Sequence, residues 1–187
     1  FIFVNDGSTD QTESIAQSYK DKFKKAGISF IYIYQKNKGQ AAALNQGLKI
    51  FKGEYLTWPD SDDYLTKDSI SCKVEFFNNN PKYKMVRSNG IYLHEESLKR
   101  IGRISNAESR FLEDIFQDLY LDKTYNCCGC YMVKAKAFFD IYPGRQIYES
   151  WGGQNWQMLI PISSITKCGY IDKDLYCVLV RAGSHSR

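Results

Sequence analysis

No run of this sequence is long and apolar enough to span a bilayer. The longest stretch without Asp, Glu, Lys or Arg, residues 150–166, holds three Ser, two Gly, two Gln, an Asn and a Pro, too polar for a membrane helix. No basic segment and small-residue cleavage site precede Phe1-Ile2-Phe3-Val4, so the opening reads as a buried strand instead of a signal peptide. A fragment lacking its first strand is the expectation. A basic stripe is also missing: 25 Lys and Arg against 21 Asp and Glu give a net charge of +4, and only Lys20, Lys22, Lys24 and Lys25 cluster. Without interleaved aromatics or a known module, nucleic acid is not expected as a partner. The lysine cluster fits a solvated helix face and leaves peripheral association with an anionic membrane open. The six cysteines lack the second Cys or His pair that structural zinc requires. Cys72, Cys127, Cys128, Cys130, Cys168 and Cys177 are therefore expected as reduced thiols of a cytoplasmic protein, acting as small buried hydrophobes.

Repeats, linkers and low-complexity tracts are absent as well. A composition of 43% hydrophobic and 25% charged residues excludes collagen-like, disordered and coiled-coil classes, and the length suits one domain with a full core. Strand and helix patterns alternate: a strand at Phe1–Val4, a helix carrying Ile15, Ala16, Tyr19 and Phe23, a strand at Ile28–Tyr34, a helix at Gln40–Phe51 and a strand at Glu54–Trp58. Asp10 and Glu13 resemble a capping box, and Gly27 a helix stop. Farther on, the pattern predicts a helix over Lys67–Phe77, strands at Lys84–Ser88 and Ile91–His94, one helix over Glu108–Leu121, and a strand near Tyr131–Val133 before a short helix from Ala135. A helical Gln154–Leu159 and strands near Tyr170 and Leu175–Val180 complete it. The alternation points to an α/β fold on a mostly parallel sheet.

In such sheets ligands bind beyond the carboxyl ends of the strands, and two of those loops are acidic. Asp6 follows the first strand; Asp60, Asp62 and Asp63 follow the third. Carboxylates gathered at strand ends are costly unless a cation or a donor-rich ligand offsets them. Mg²⁺ and Mn²⁺ favour carboxylate oxygen and take few protein ligands beside phosphate and water. Two acids at i and i+2 suit that task, one holding the ion and one reaching a sugar hydroxyl. Asn37-Lys38-Gly39 opens a helix and offers a cation and backbone N–H groups to an anion.

Val4-Asn5-Asp6-Gly7-Ser8-Thr9-Asp10, Asn37-Lys38-Gly39 with Ala43-Leu44-Asn45, and Asp60-Ser61-Asp62-Asp63, in that order and spacing, resemble the bacterial family 2 glycosyltransferases. The likeness is strong to about Leu65 and looser beyond. It implies a GT-A fold in a single domain over residues 1–187, with a nucleotide-sugar half over 1–100 and an acceptor-side half over 101–187. It further implies inverting transfer from a nucleotide-sugar donor, commonly a UDP-sugar, with Mn²⁺ or Mg²⁺. Carried over by position, Asp6, Gly7, Ser8, Lys38, Gly39, Asn45, Asp60 and Ser61 would bind the nucleotide, with Asp6 on the uracil and Asp60 near the ribose. Asp62 would hold the metal, with His185 of the tail as a further ligand. The resemblance places the family's opening strand, with its base-stacking segment, ahead of Phe1, so that part of the nucleotide pocket is expected outside this sequence.

In the looser half, Gln154 and Asn155 stand where many relatives carry a Glu-Asp pair, whose Asp deprotonates the acceptor. A carboxamide orients a hydroxyl but takes no proton. Glu149 is therefore the candidate base, Asn155 a hydroxyl-orienting residue, and Trp151, Gln154 and Trp156 the acceptor-side contacts. The expected activity is sugar transfer to a saccharide or lipid-linked saccharide in cell-surface polysaccharide synthesis, in the cytoplasm or at the inner face of the membrane. The alternative is a nucleotide-sugar-binding domain without catalysis. A nucleotidyltransferase is disfavoured, because no Gly-x-Gly-x-Arg loop follows the first strand.

Overall fold

The computed structural model describes residues 1–181. In chain order the elements are β1 (Ile2–Asp6), α1 (Thr12–Ser18), α2 (Lys20–Lys25), β2 (Ile31–Gln35), α3 (Gln40–Ile50), β3 (Tyr55–Leu56), β4 (Tyr64–Leu65), α4 (Ser69–Asn79), β5 (Met85–His94) and β6 (Arg100–Arg103). There follow α5 (Phe116–Tyr120), β7 (Tyr131–Lys134), α6 (Ala135–Ile141), α7 (Gln154–Ser163) and β8 (Cys168–Val180). Two compact units divide them: Phe1–Gly53 with Tyr142–Gln157, and Glu54–Ile141 with the chain from Met158 on. Among the described residues no helix is long and apolar enough to cross a membrane.

In the first unit β1 and β2 pair in parallel, Ile2 opposite Ile31 and Asp6 opposite Gln35. Their connection is broken into two short helices, where the periodicity predicts one. The expected capping box does not form. Asp10 Oδ1 accepts from the Thr12 N–H and hydroxyl, which closes a local turn one step before the helix, and Gln11 stands at the N-cap with no side-chain bond. Helix α3 buries Ala41, Ala42, Asn45 and Leu48. Arg145 closes its far end by donating to the carbonyls of Lys49 and Phe51, which satisfies acceptors the helix leaves unpaired.

The second unit holds a mixed sheet in the order β3-β7-β5-β8-β4, with β6 on β5. Among the described residues only the β5–β8 pairing is parallel there; β3–β7, β4–β8, β5–β6 and β5–β7 are antiparallel. The strands expected at residues 84–88 and 91–94 are one continuous β5, and those near 170 and 175–180 are one β8, with register shifts that absorb the polar Asp172-Lys173 step. Met85, Val86, Val133, Phe138, Leu159 and Ile162 are fully buried. Side chains of this size each contribute about 1.5–3 kcal/mol when removed from water.

Residues 108–121 do not form one helix. Glu108–Phe111 is a 3-10 turn and α5 begins only at Phe116. The cause is Arg87, wholly buried on β5, whose guanidinium donates to the carbonyls of Ser109, Arg110 and Leu112 and to the Thr124 hydroxyl. Those carbonyls serve the arginine, and the amphipathic pattern loses to the desolvated charge.

Candidate functional site

In the first unit the end of β1 is built around Asp6. Its Oδ1 accepts from Gln35 Nε2 at 2.6 Å and from the Lys38 N–H at 2.9 Å, and its Oδ2 from the Gly39 N–H at 2.9 Å. One carboxylate thus straps the loop before α3. Asn5, beside it and buried, accepts from the Ser8 N–H and donates to the Tyr32 hydroxyl, which shapes the Gly7-Ser8 turn. Gly7 sits at φ +81°, and a Cβ there would lie 2.6 Å from the Asn37 nitrogen. Only glycine fits at both counts. Gln35 Oε1 is buried next to Asp6 without a hydrogen-bond partner, an acceptor awaiting a donor. Lys38 and Ser8 are exposed.

The segment expected to meet the acceptor packs within the same unit. A Cβ on Gly39 would lie 3.0 Å from the Trp151 ring, and Gln154 Nε2 donates to Gln40 Oε1. Trp151 is 79% exposed, a face free to meet solvent or ligand, while Trp156 is half-buried. Glu149 is exposed, and its Oε1 lies 3.4 Å from Asn45 Nδ2. Asn45, expected at the nucleotide, is wholly buried. Its amide donates to the Ile147 carbonyl at 2.9 Å and accepts from the Ile147 N–H at 2.8 Å, so it shapes the Glu149 segment and presents no surface to a ligand. Asn155 stands in the first turn of α7 and is half-buried.

In the second unit the Asp60–Asp63 loop follows β3 and is fixed by a residue the motif does not contain. Tyr176 on β8 donates its hydroxyl to Asp63 Oδ2 at 2.9 Å and accepts from the Asp60 N–H at 3.2 Å. Asp63 Oδ1 takes the Leu179 N–H at 3.0 Å, so this third acid anchors the loop. Burial pushes the Asp60 carboxyl above the ordinary range, opposed by a hydrogen bond from the Cys128 thiol, and Asp62 pushes it further up. Ser61 and Asp62 are exposed, and Asp62 Oδ2 lies 3.6 Å from Arg181, which also faces Glu95 at 3.9 Å. His185 lies outside the described residues.

Among the described residues no three His, Cys, Asp or Glu side chains gather as a metal site. The donor set nonetheless fits a hard divalent ion that takes one or two protein carboxylates and fills its shell with phosphate and water. Asp60 is a half-buried carboxylate whose charge burial and Asp62 both disfavour, which a cation would relieve. All six cysteines are free thiols.

Sequence reasoning missed Gln35, Asp63's anchoring role and Tyr176. Gln35 had a signal, its place at the end of β2; Tyr176 had none, being more than a hundred residues from the loop it holds.

Three known proteins set this geometry in context. Poly-beta-1,6-N-acetyl-D-glucosamine synthase of Staphylococcus aureus is 32% identical over 108 residues, 57% of this chain and 24% of the relative. Staphylococcus aureus TarS, solved in complex with UDP-GlcNAc, superposes with a TM-score of 0.73 at 19% identity, over 98% of this chain and 50% of that one. The mannosyltransferase PcManGT of Pyrobaculum calidifontis, solved with GDP-Man and Mn²⁺, reaches 0.64 at 13% identity, over 98% and 48%. At these identities the solved structures share the fold alone, an α/β fold of GT-A type. The chain spans 22% to 28% of the length of other curated glycosyltransferases it resembles. The model of Glycosyl transferase family 2 matches residues 1–141, covering all three motifs, and the chain belongs to that family.

Proposed function

We propose that the chain is a metal-dependent, inverting glycosyltransferase that moves a sugar from a UDP-linked donor to a saccharide or lipid-linked saccharide acceptor in cell-surface polysaccharide synthesis. The observation that carries this reading is the second unit's acidic loop, in which Asp63 is held from two sides, Asp60 is half-buried and Asp62 stands at the surface. Two of its three acids remain for a ligand.

Asp62 would hold Mn²⁺ or Mg²⁺ with Asp60 beside it, and the ion supplies positive charge for the departing diphosphate. Asp60 accepts from a ribose hydroxyl, with Ser61 next to it. In the first unit Asp6 and the unpartnered Gln35 Oε1 accept from the N–H edge of the base, and the Gly7-Ser8 turn, Lys38 and Gly39 line the nucleotide. Glu149 takes the proton of the attacking hydroxyl, Asn155 and Gln154 orient that hydroxyl, and Trp151 and Trp156 offer ring faces to the sugar. The attack is in line at the anomeric carbon, with no covalent intermediate. The donors bound by TarS and PcManGT and the activity named for the poly-N-acetylglucosamine synthase support this chemistry.

Calorimetry of UDP with Mn²⁺ tests the reading. Asp62→Asn should abolish the metal-dependent binding and leave the melting temperature unchanged, because the side chain is exposed; unaltered binding removes Asp62 from the metal. Hydrolysis of UDP-, GDP- and dTDP-sugars then identifies the base. Asn155 in place of an acid favours a second reading, a binding domain without turnover, which donor binding with no turnover on any acceptor would select.

A further inference from the structure

Lys73 is a lysine with no exposed surface, and no part of the proposed chemistry uses it. It lies on α4, and its ammonium donates to the Ser69 hydroxyl at 3.1 Å and to the Gly129 carbonyl at 2.8 Å. Neither partner carries a charge, so the burial is costly and needs an explanation in what the amine holds. What it holds is the turn Cys127–Cys130, closed by the Cys130 N–H on the Cys127 carbonyl. Two contacts of that turn reach the acidic loop. Gly129 lies against the Tyr176 ring so closely that a Cβ would come within 2.0 Å of Cε2, and Tyr176 is the residue that grips Asp60 and Asp63. The Cys128 thiol, which precedes Gly129 in the turn, interacts electrostatically with the Asp60 carboxylate.

We infer that Lys73 is a positioning residue for the donor loop: by fixing the Gly129 carbonyl it seats the 127–130 turn on Tyr176 and Asp60, and so sets the geometry in which Asp60 and Asp62 meet their ligands. This rests on the reading of Asp60–Asp63 as a donor site. Burial lowers the Lys73 amine to about 8, with the thiols of Cys72 on its own helix and of Cys127, Cys128 and Cys130 on the facing turn as the titratable groups around it. Above that pH the bond to Gly129 loses its charge assistance, which roughly halves the strength of such a bond.

The test compares the parent chain with Lys73→Gln, which keeps an N–H donor without charge, and Lys73→Met, which keeps only the length. UDP affinity is titrated with Mn²⁺ from pH 6.5 to 9.5 (approximate limits). Lys73→Met should weaken UDP binding about tenfold or more at neutral pH, and Lys73→Gln should restore most of it. The parent's affinity should decline through about pH 8, and that of Lys73→Gln should not. Equal affinity in all three proteins, or the same pH profile in the parent and Lys73→Gln, overturns the inference. If Lys73→Met does not fold, the Gln variant alone decides through its pH profile. If the parent itself fails to bind UDP, the donor reading falls, and the strut is read from thiol labelling: faster modification of Cys127, Cys128 and Cys130 in Lys73→Met than in the parent, largely reversed in Lys73→Gln, supports the seating of the turn, and equal rates in the parent and Lys73→Met overturn it.

Discussion

The Tyr176 hydroxyl donates to Asp63 Oδ2 at 2.9 Å while accepting from the Asp60 N–H, so one phenol from β8 orders both ends of a four-residue acidic loop. Tyr176→Phe removes both bonds and leaves a part-buried carboxylate with only the Leu179 N–H. A loss of about 1–3 kcal/mol in urea denaturation is expected, together with weaker Mn²⁺-dependent UDP binding. Full stability with full UDP affinity would show that the phenol does not order the loop.

Arg181 faces Asp62 at 3.6 Å with both side chains half-exposed, and it competes with any cation for that carboxylate. Surface pairs of this kind contribute about 0.2–1 kcal/mol. Arg181→Gln should therefore tighten Mn²⁺ binding in the absence of nucleotide by a few-fold at most, read by the paramagnetic signal of free Mn²⁺. Weaker Mn²⁺ binding in the variant contradicts the competition.

Asn45 joins α3 to the segment that carries Glu149 through two bonds to Ile147. Asn45→Ala leaves the Ile147 N–H and carbonyl without that partner in a buried setting, which costs about 2–4 kcal/mol. Glu149→Gln, at an exposed position, should leave stability within about 0.5 kcal/mol and lower kcat about a hundredfold or more, with donor affinity kept. A kcat within a few-fold of the parent on the true acceptor removes Glu149 as the base.

Lys73 also gives a pH signature in stability. The unfolded amine titrates near 10.5 and the folded one near 8, so between those values the unfolded chain holds the extra proton. Stability contributed by this group therefore rises as pH goes from about 8 towards 10.5 and is level below 8. Denaturant midpoints at pH 7 and pH 10 should show a rise in the parent that Lys73→Met lacks. An identical pH response in the two proteins would mean that the amine is not desolvated in the fold.

The motif residues were legible in the sequence because each is tied to its neighbours. Asp6 follows a strand of apolar residues, Gly7 is demanded by a positive φ, and Lys38-Gly39 opens a helix whose Ala-rich start packs closely. Local sterics and periodicity dictate these, and the structure places them at the ends of β1 and β3 and the start of α3 as the spacing implies. The order of the three motifs along the chain likewise marked the family.

Long-range partners decided the rest. Nothing near Glu108–Leu121 announces that Arg87 takes its carbonyls and unwinds the expected helix. Asn45 read as a ligand contact until its amide was found closed on Ile147, and Asp63 read as a third acid with no role of its own until Tyr176 and Leu179 claimed it. Lys73 drew no reading from the sequence, and only the turn at Gly129 makes it a buried strut. Sequence alone determined the strand-end acids and their family, because those features are local. Tertiary structure alone decided which polar groups are spent on the fold and which remain for a ligand, because a hydrogen bond between residues a hundred positions apart leaves no periodic trace in the chain.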